Sequence, residues 1–580
     1  MSTPYRIAFT VACLGAWGVL VLCLLSGGPA QAQVFYPDDP LMEDPDRAPI
    51  DPPQSWELSD FHDYVENAVE RPDERGGRAM NINTLGEVPR SSWYEPGHYY
   101  DRMSIEELQR GPHVSGGPNP AETWQVVEGK EEGVTTGFWV EDSDHRYLLK
   151  FDDKEHLELS TASEAIVTQI FHALGYHSPE NYLVHFGRDQ LEVHSDATFE
   201  DEDGEERPMT TEDLEAVLGE VPQYEDGTFR ALASQFLPGE YVGPFKFHGT
   251  RPDDPNDIFP HEHRRELRGM RVFSAWVNRG DARSNNTLDM LLEGPEGPYV
   301  KHFMIDHTTT LGATPLGPQQ VWMGREFLID APAIAASVFS LGLAGRPWTR
   351  QSYPNSGLSS VGHFRTDTFE PTEWKQQYRN PAFLNMDEDD AFWAAKQVAH
   401  FTAEEIRGLV RVGEYTREEA IDFLTEALIV RRDKIARAYL PHGGGLDRFR
   451  VGDDGRLQFD DLLEHPAFEE TKPLAPVVWH TFDNATGQRG VAVDTTAIAD
   501  GTTAMPAAEG SFVVGVFHRT GAPDRTTEVF LRAESDGWAV VGLRRSSQGL
   551  PGDVPVWTQV PDHLQSNPDS SDALFTTDRP

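Results

Sequence analysis

A chain of 580 residues is long enough for roughly two to four domains and at least one large core. It carries 49 Lys and Arg against 95 Asp and Glu, a net charge of −46, which speaks against a phosphate-coating surface and so against a nucleic-acid partner. Only 9 of the 49 are lysines, a bias that suits solubility in strong salt, where the Debye length falls to about 3 Å; the plainer reading is a set of acidic, solvated faces.

Residues 1–6 carry one positive charge, residues 7–25 are almost wholly apolar, and Ala30-Gln31-Ala32 offers small residues for cleavage. That order reads as a secretory signal peptide and predicts an exported, periplasmic or extracellular protein, with an uncleaved N-terminal membrane anchor as the alternative. No later segment is apolar enough to span a bilayer. Cys13 and Cys23 both lie inside the signal, so the mature chain is expected to hold no disulfide and to rely on its core.

Residues 33–120 are rich in Pro, Asp, Glu and Gly and read as an extended, poorly ordered arm. WQVVE and GFWVED flank GKEEGVTTG as a hairpin, and RYLLKF is a further strand. Residues 161–176 carry a helical apolar stripe; NYLVHF and FRALASQFL are strands separated by the acidic insert FEDEDGEE. HRRELRGMRVFSAWV is helical and YVKHFMID a short strand. Helices resume at DAPAIAASVFSLGL, DDAFWAAKQVAHF and REEAIDFLTEALIVRRDKIARAYL, the last opened by a capping box of Thr416 and Glu419. Pro441 and the glycines at 443–445 stop it. Beyond them VVWHTF, GVAVDT, SFVVGVFHR, TEVFLRA and WAVVGLRR alternate as the strands of a small antiparallel domain.

The residues able to carry chemistry follow one order: a glycine-containing hairpin (Gly129, Gly133, Gly137), Lys150 at a strand end, Glu164 on a helix, Asp281 and Asn286 five apart in a loop, and Asp306 at the end of a strand. Phosphoryl transfer needs a cation on the nucleotide phosphates, carboxylate and amide ligands for magnesium, and an acid to orient the attacking hydroxyl. Each residue also has a plain reading. Lys150 could be an edge-strand lysine, Thr161-Ala162-Ser163-Glu164 is itself a capping box, and Asp and Asn are ordinary turn residues. Their joint order favours function.

Lys150, Glu164, the run NRGDARSNN ending at Asn286 and the pair Ile305-Asp306 together resemble the atypical kinase-like fold shared by HipA-type kinases, phosphoinositide lipid kinases and secretory-pathway kinases. ALGYHSPENYLV is likewise similar to the helix-then-strand text of HipA-like proteins, and the resemblance covers roughly residues 120–440. It implies an α+β fold with a two-lobed kinase-like core, to which the sequence adds a C-terminal all-β, sandwich-like domain. It implies Asp281 as the catalytic aspartate, Asn286 and Asp306 as ligands of Mg²⁺ or Mn²⁺, and Lys150, braced by Glu164, on the phosphates of ATP or another nucleotide. Gly133 and Gly137 would cover those phosphates, and Gln235 and Phe236 would belong to the hinge that receives adenine. The chain departs from the family's pattern in Asp306-His307-Thr308, where Phe or Leu and then Gly or Ser often follow the aspartate. It departs again at Arg283, where a histidine is often found, and the glycine loop is not G-x-G-x-x-G.

The expected division is a signal peptide (1–32), the arm (33–120), an N-lobe (121–255), a helical C-lobe (256–445), a linker (446–471), a β domain (472–562) and a disordered tail (563–580). The expected function is Mg-dependent transfer of phosphoryl from ATP to a protein, lipid or sugar hydroxyl, with nucleotidyl transfer open on the same scaffold. The rival is a pseudokinase acting as a binding or scaffold protein. Other chemistries lack their residues. HEHRREL is not H-E-x-x-H, no G-x-S-x-G occurs, and Arg279-Gly280-Asp281 as an adhesion tripeptide would need an exposed loop.

Overall fold

The structure is a computed structural model that describes residues 33–69, 77–129, 137–200, 206–295, 297–329, 339, 357–507, 510–535 and 537–546. Residues 1–32, read above as a signal peptide and holding both cysteines, Gly133, most of the helix expected at 330–343 and the C-terminal tail lie outside the described residues. The fold is mixed α+β, with nine α-helices among the described residues, none long and apolar enough to cross a membrane.

The arm is not loose. It carries helices α1 (Asp60–Val69) and α2 (Ile105–Arg110), and it buries Phe35, Trp93, Tyr94 and Tyr99. Its backbone is tied to the protein by Glu95 N donating to Gly175 O at 2.9 Å and His98 N to Ala173 O at 2.8 Å. These bonds satisfy carbonyls at and just beyond a helix end that would otherwise lack partners. A few aromatic anchors without a period hold the segment, which is why hydropathy patterning reads it as disordered.

The central sheet is built from β1 (Trp124–Gly129), β2 (Gly137–Glu141), β3 (Arg146–Lys150), β4 (Asn181–Phe186), β5 (Leu191–Glu200), β6 (Glu206–Pro208) and β7 (Phe229–Gln235). Their order is β4-β7-β3-β2-β1-β5-β6, antiparallel except for the β1–β5 pair. Tyr147, Leu149 and Phe151 alternate onto one face, where they join Trp124, Phe138 and Phe186 in a core. Leu148 and Lys150 point to the other. Helix α3 (Ser160–Ala173) is buried on nearly every side, as a helix between layers must be. The acidic insert is framed by β5 and β6 and followed by α4 (Thr211–Gly219).

The chain leaves β7 through Leu237, Pro238 and Gly239. A Cβ at Gly239 would lie 2.3 Å from the Leu291 carbonyl, and its φ is +97°, so only glycine fits this crossing. β8 (Glu240–Gly243), β9 (Thr287–Gly294) and β10 (Gly297–Met304) form a second, antiparallel sheet. Helices α5 (Arg265–Val277), α6 (Pro381–Leu384), α7 (Glu388–His400), α8 (Ala403–Arg411) and α9 (Glu418–Tyr439) share one large core with α3 and the arm's Trp93 and Tyr94. The capping box expected at Thr416 does not form. Arg417 occupies the N-cap position without a side-chain bond, because Thr416 gives its amide and hydroxyl to Glu158 Oε2, at 3.1 and 3.3 Å.

In the C-terminal part, strands 446–451 and 457–461 fall in the stretch read as a linker. Leu446, Phe449, Leu457 and Phe459 from these strands enter one core with Trp479, Phe517 and Leu531 from the five-stranded sheet that follows. Dense charge in LDRFRV and RLQFDD masks the alternation. Asp447 is buried at the junction with α7. It accepts from Tyr99 Oη at 2.7 Å and from Lys396 Nζ at 2.8 Å, and it pairs with Arg545.

Candidate functional site

Lys150 ends β3 directly opposite Gly137 of β2 and Leu232 of β7, and its side chain leaves the face that looks toward α3. Its ammonium donates to both oxygens of Glu164, at 2.8 and 3.2 Å, and lies 3.8 Å from Asp306 Oδ2. Lysine and glutamate are both buried, at 7% and 1% exposure. Burial opposes the lysine's charge, but Asp306 and Glu164 outweigh it and hold the pKa at about 12. The strand-edge reading of Lys150 therefore fails, since β3 is a central strand.

Glu164 is available for this pairing because it caps nothing. The capping box expected at Thr161–Glu164 is absent, and the whole tetrapeptide lies inside α3. A carboxylate from upstream does the capping instead. Asp152 Oδ1 accepts from Ser160 N at 2.8 Å, Ser160 Oγ at 2.9 Å and Thr161 N at 2.9 Å. Its Oδ2 accepts from Glu158 N at 2.9 Å and Thr161 Oγ1 at 2.7 Å. The acid follows the lysine's strand by two residues, so one short segment places both the cation and the start of the helix that answers it.

The Asp281–Asn286 loop joins α5 to β9. The hairpin of β9 and β10 pairs Thr287 with Met304, and Ile305 N donates to Asn286 O at 3.1 Å. The hairpin thus brings Asn286 and Asp306 together across twenty residues. Asn286 Nδ2 donates to Asp281 O at 2.8 Å, which fixes the loop and turns the amide oxygen away from that carbonyl. Asp306 has φ +51°, a left-handed backbone that costs about 1 kcal/mol for a residue with a Cβ. Thr308 secures it, donating its amide to Asp306 Oδ1 at 3.2 Å and its hydroxyl to the same oxygen.

Asp281 is partly buried, and Arg283 Nε stands 3.1 Å from its Oδ1. Burial pushes the carboxyl upward; Arg283 opposes this and Asp306 adds to it. Arg279, two residues upstream, is 1% exposed and donates to the Ile305 carbonyl at 3.2 Å. A buried arginine cannot serve as an adhesion tripeptide. Burial lowers its pKa to about 10 even beside Asp281, Asp306 and Glu164. His307 is buried against Phe171 of α3, ring centroids 4.7 Å apart, and burial, with Arg279 nearby, holds it neutral.

Gln235 ends β7 and Phe236 follows it. Gln235 N donates to Glu180 O and Phe236 N to Arg146 O, both at 2.9 Å, so these amides are committed to the sheet. Gln235 Oε1 also accepts from Ser115 Oγ at 2.6 Å. Phe236 offers its ring instead: it is 50% exposed, 5.8 Å from Trp139, on the face that carries Lys150. Gly137 starts β2.

Among the described residues no group of three or more His, Cys, Asp or Glu gathers to hold a metal. An amide oxygen from Asn286 and a carboxylate from Asp306 nonetheless fit Mg²⁺, which takes one or two carboxylates and fills its shell with water and phosphate oxygens. Of the basic residues on or near α5, Arg283 reaches Asp281 while others are held elsewhere. Arg264 goes to Asp257 at 3.0 Å, while Arg265 and Arg268 go to Asp390 at 2.9 and 3.3 Å. His261 pairs with Asp257 at 2.7 Å, so His261, Arg264 and Arg265 of HEHRREL are all held by acids outside that segment. Sequence reading missed Asp152, for which the only signal is an acid a few residues before a Ser-Thr helix start. It also passed over Arg279, considered only within its tripeptide.

No protein-family model and no curated protein matches this sequence. Among solved structures, the crystal structure of the Helicobacter pylori proinflammatory kinase CtkA matches with 13% identity, over 54% of this chain and 92% of that one, at a TM-score of 0.28. A similarity that weak carries no argument, and the geometry above stands without it.

Proposed function

We propose that this chain is an exported phosphotransferase of the kinase-like class, moving the terminal phosphoryl group of ATP or another nucleotide to a hydroxyl on a protein, lipid or sugar. The observation that carries the reading is the buried Lys150–Glu164 pair beside Asp306, because a cation so fixed and so costly to bury is suited to hold nucleotide phosphates. Asn286 and Asp306 would hold Mg²⁺ or Mn²⁺, which when bound neutralises charge on the phosphoryl oxygens. Asp281, its carboxyl raised by burial, orients the acceptor hydroxyl and takes its proton as the new P–O bond forms and the nucleoside diphosphate leaves. The exposed ring of Phe236 would stack on the base. Export rests on residues 1–32.

One observation favours the inactive alternative: Arg283 sits 3.1 Å from the carboxylate that must meet the acceptor. The experiment that separates the readings is thermal melting of the full-length protein with ATP and other nucleotides, with and without Mg²⁺ or Mn²⁺, followed by labelled phosphoryl transfer. Metal-dependent nucleotide stabilisation is expected. Asp281→Asn should keep that stabilisation and lose transfer about 10²–10⁴-fold. Stabilisation without any transfer would leave a pseudokinase, and no stabilisation under any condition would defeat the enzyme reading.

A further inference from the structure

Helix α1 of the arm is packed inside out. Phe61 and Val65, four apart and so on one face, are 71% and 41% exposed, while Asp63 and Asn67, four apart on another, are 9% and 5% exposed. A helix packed for stability turns its apolar stripe inward. Polar contacts hold this one instead. Glu66 meets Lys246 at 2.9 Å and His248 at 3.2 Å, and Asn67 Oδ1 lies 3.3 Å from His248 Nδ1. The Glu66 side chain is 46% exposed, and ion pairs so open to solvent contribute little. Such a helix belongs to the low-stability end of a fold, where segments open without global unfolding.

What α1 covers is the loop of Asp281. Leu58 O, just before the helix, accepts from Asn285 Nδ2 at 3.3 Å. Burial raises the Asp63 carboxyl, and the Ser284 hydroxyl of the loop opposes the rise. Tyr64 meets Tyr378 edge-on, ring centroids 5.8 Å apart and planes at 80°, and the Arg283 guanidinium lies 5.5 Å from the Tyr378 ring centroid. Arg283 in turn stands 3.1 Å from Asp281. Tyr64, Tyr378 and Arg283 line one narrow cleft with Asp63, Asn67 and Ser284. A relay therefore runs from the arm through two tyrosines and an arginine to the carboxylate. The chain ahead of α1 is pinned: Trp56 N donates to Val242 O at 3.2 Å and its Nε1 to Pro244 O at 2.7 Å. Trp56 is thus a fixed pivot for the helix that follows.

We propose that α1 is an autoinhibitory strap: docked, it covers the loop and holds Arg283 against Asp281, and released about Trp56 it frees the carboxylate for the acceptor. The regulatory part rests on the phosphotransferase reading; the strap itself does not. Arg283 beside Asp281 then marks a restrained enzyme rather than a dead one.

The test is hydrogen exchange of the full-length protein, with hydrolysis of labelled ATP in the presence of Mg²⁺ as the probe of turnover, water standing in for the acceptor. Residues 61–67 should exchange at least about 10²-fold faster than α5, through local opening. Glu66→Lys turns the anchor at Lys246 and His248 into repulsion. Exchange over 61–67 and over 281–286 should then both quicken about tenfold or more with α5 unchanged, and hydrolysis should rise about fivefold or more. Asn67→Ala provides a milder variant should the reversal unfold the protein. Phe61→Ala/Val65→Ala, on the exposed face, should change neither exchange over 281–286 nor hydrolysis. In an Arg283→Ala background, Glu66→Lys should add nothing to hydrolysis, because the arginine it releases is gone. The strap is overturned if 61–67 exchange only with global unfolding, or if Glu66→Lys loosens 61–67 and leaves 281–286 as protected as before. Its regulatory role is overturned if both loosen and hydrolysis by the nucleotide-stabilised protein does not rise. Absence of nucleotide stabilisation in every form would sink the phosphotransferase reading, and the exchange result would still decide the strap.

Discussion

Lys150 and Glu164 are each too deeply buried to stand charged alone, so the two must be altered together to separate their structural and chemical roles. Lys150→Met strands a buried carboxylate and should cost about 3–5 kcal/mol in urea denaturation. Lys150→Met/Glu164→Met replaces the pair with apolar volume and should recover most of that stability. Nucleotide stabilisation should be missing from both variants. If the double variant keeps a full nucleotide shift, Lys150 does not meet the phosphates. At this scale the text was ambiguous because one short residue string suited two jobs. Thr161 through Glu164 spells a cap, and only the position of Asp152 in space decides that the glutamate is spared for the lysine.

Helix α3 is the element on which the site turns, since it carries Glu164 and takes its N-terminal capping from Asp152. Asp152→Ala removes an acceptor of five hydrogen bonds and should destabilise the protein by about 2 kcal/mol or more, with weakened nucleotide stabilisation because Glu164 loses its platform. Asp152→Asn should fall between, as one of its two oxygens becomes a donor. Normal nucleotide stabilisation in a destabilised Asp152→Ala variant would show that α3 does not position the site. Strands such as RYLLK and NYLVHF were legible because apolar alternation is local. The hairpin joining Asn286 to Asp306 was legible for the same reason. The arm was not, because Trp93 stacks on His302 of β10 and Tyr94 packs on Trp393 of α7, both hundreds of residues away, and no local period announces such contacts. The strands at 446–461 were hidden by charges that ion pairs answer across the fold, as Arg519 answers Asp461.

For the whole molecule the dominant fact is charge. At −46, self-repulsion should be relieved by salt, so Tm should rise between about 0.1 and 1 M NaCl, and nucleotide affinity should tighten rather than weaken. Loss of affinity with added salt would mean that local cations already dominate the site. Stability should also depend on pH in a definite direction. Asp387, at about 7, and Asp46, at about 6, lie above the ordinary aspartate value of 3.8, in both cases chiefly through burial, with Asp390 and Asp254 respectively adding repulsion. Their native forms bind protons more tightly than the unfolded chain. The stability they contribute is complete below pH 3.8 and is lost as pH rises through 6 and 7. Asp257 and Asp447 run the other way. Burial resists their ionisation, but His261 with Arg264, and Lys396 with Arg545, outweigh it, so their contribution exists above 3.8 and fades as pH falls. Maximal stability should therefore lie between about pH 4 and 6, read from urea midpoints, and Asp387→Asn should flatten the decline toward pH 8.

The arm has a temporal meaning as well. Val34 N donates to the Asn484 carbonyl and Phe35 N to the Asn484 side chain, while the Phe35 ring sits among Phe482, Phe512 and Phe530. Phe35 is therefore made 449 residues before the asparagine that receives it. A growing chain carries an unhoused aromatic for nearly all of its synthesis, and closing so long a loop comes late. The earliest described residues to leave the ribosome are among the last to reach their place, and the protein depends on whatever shields that ring during the wait.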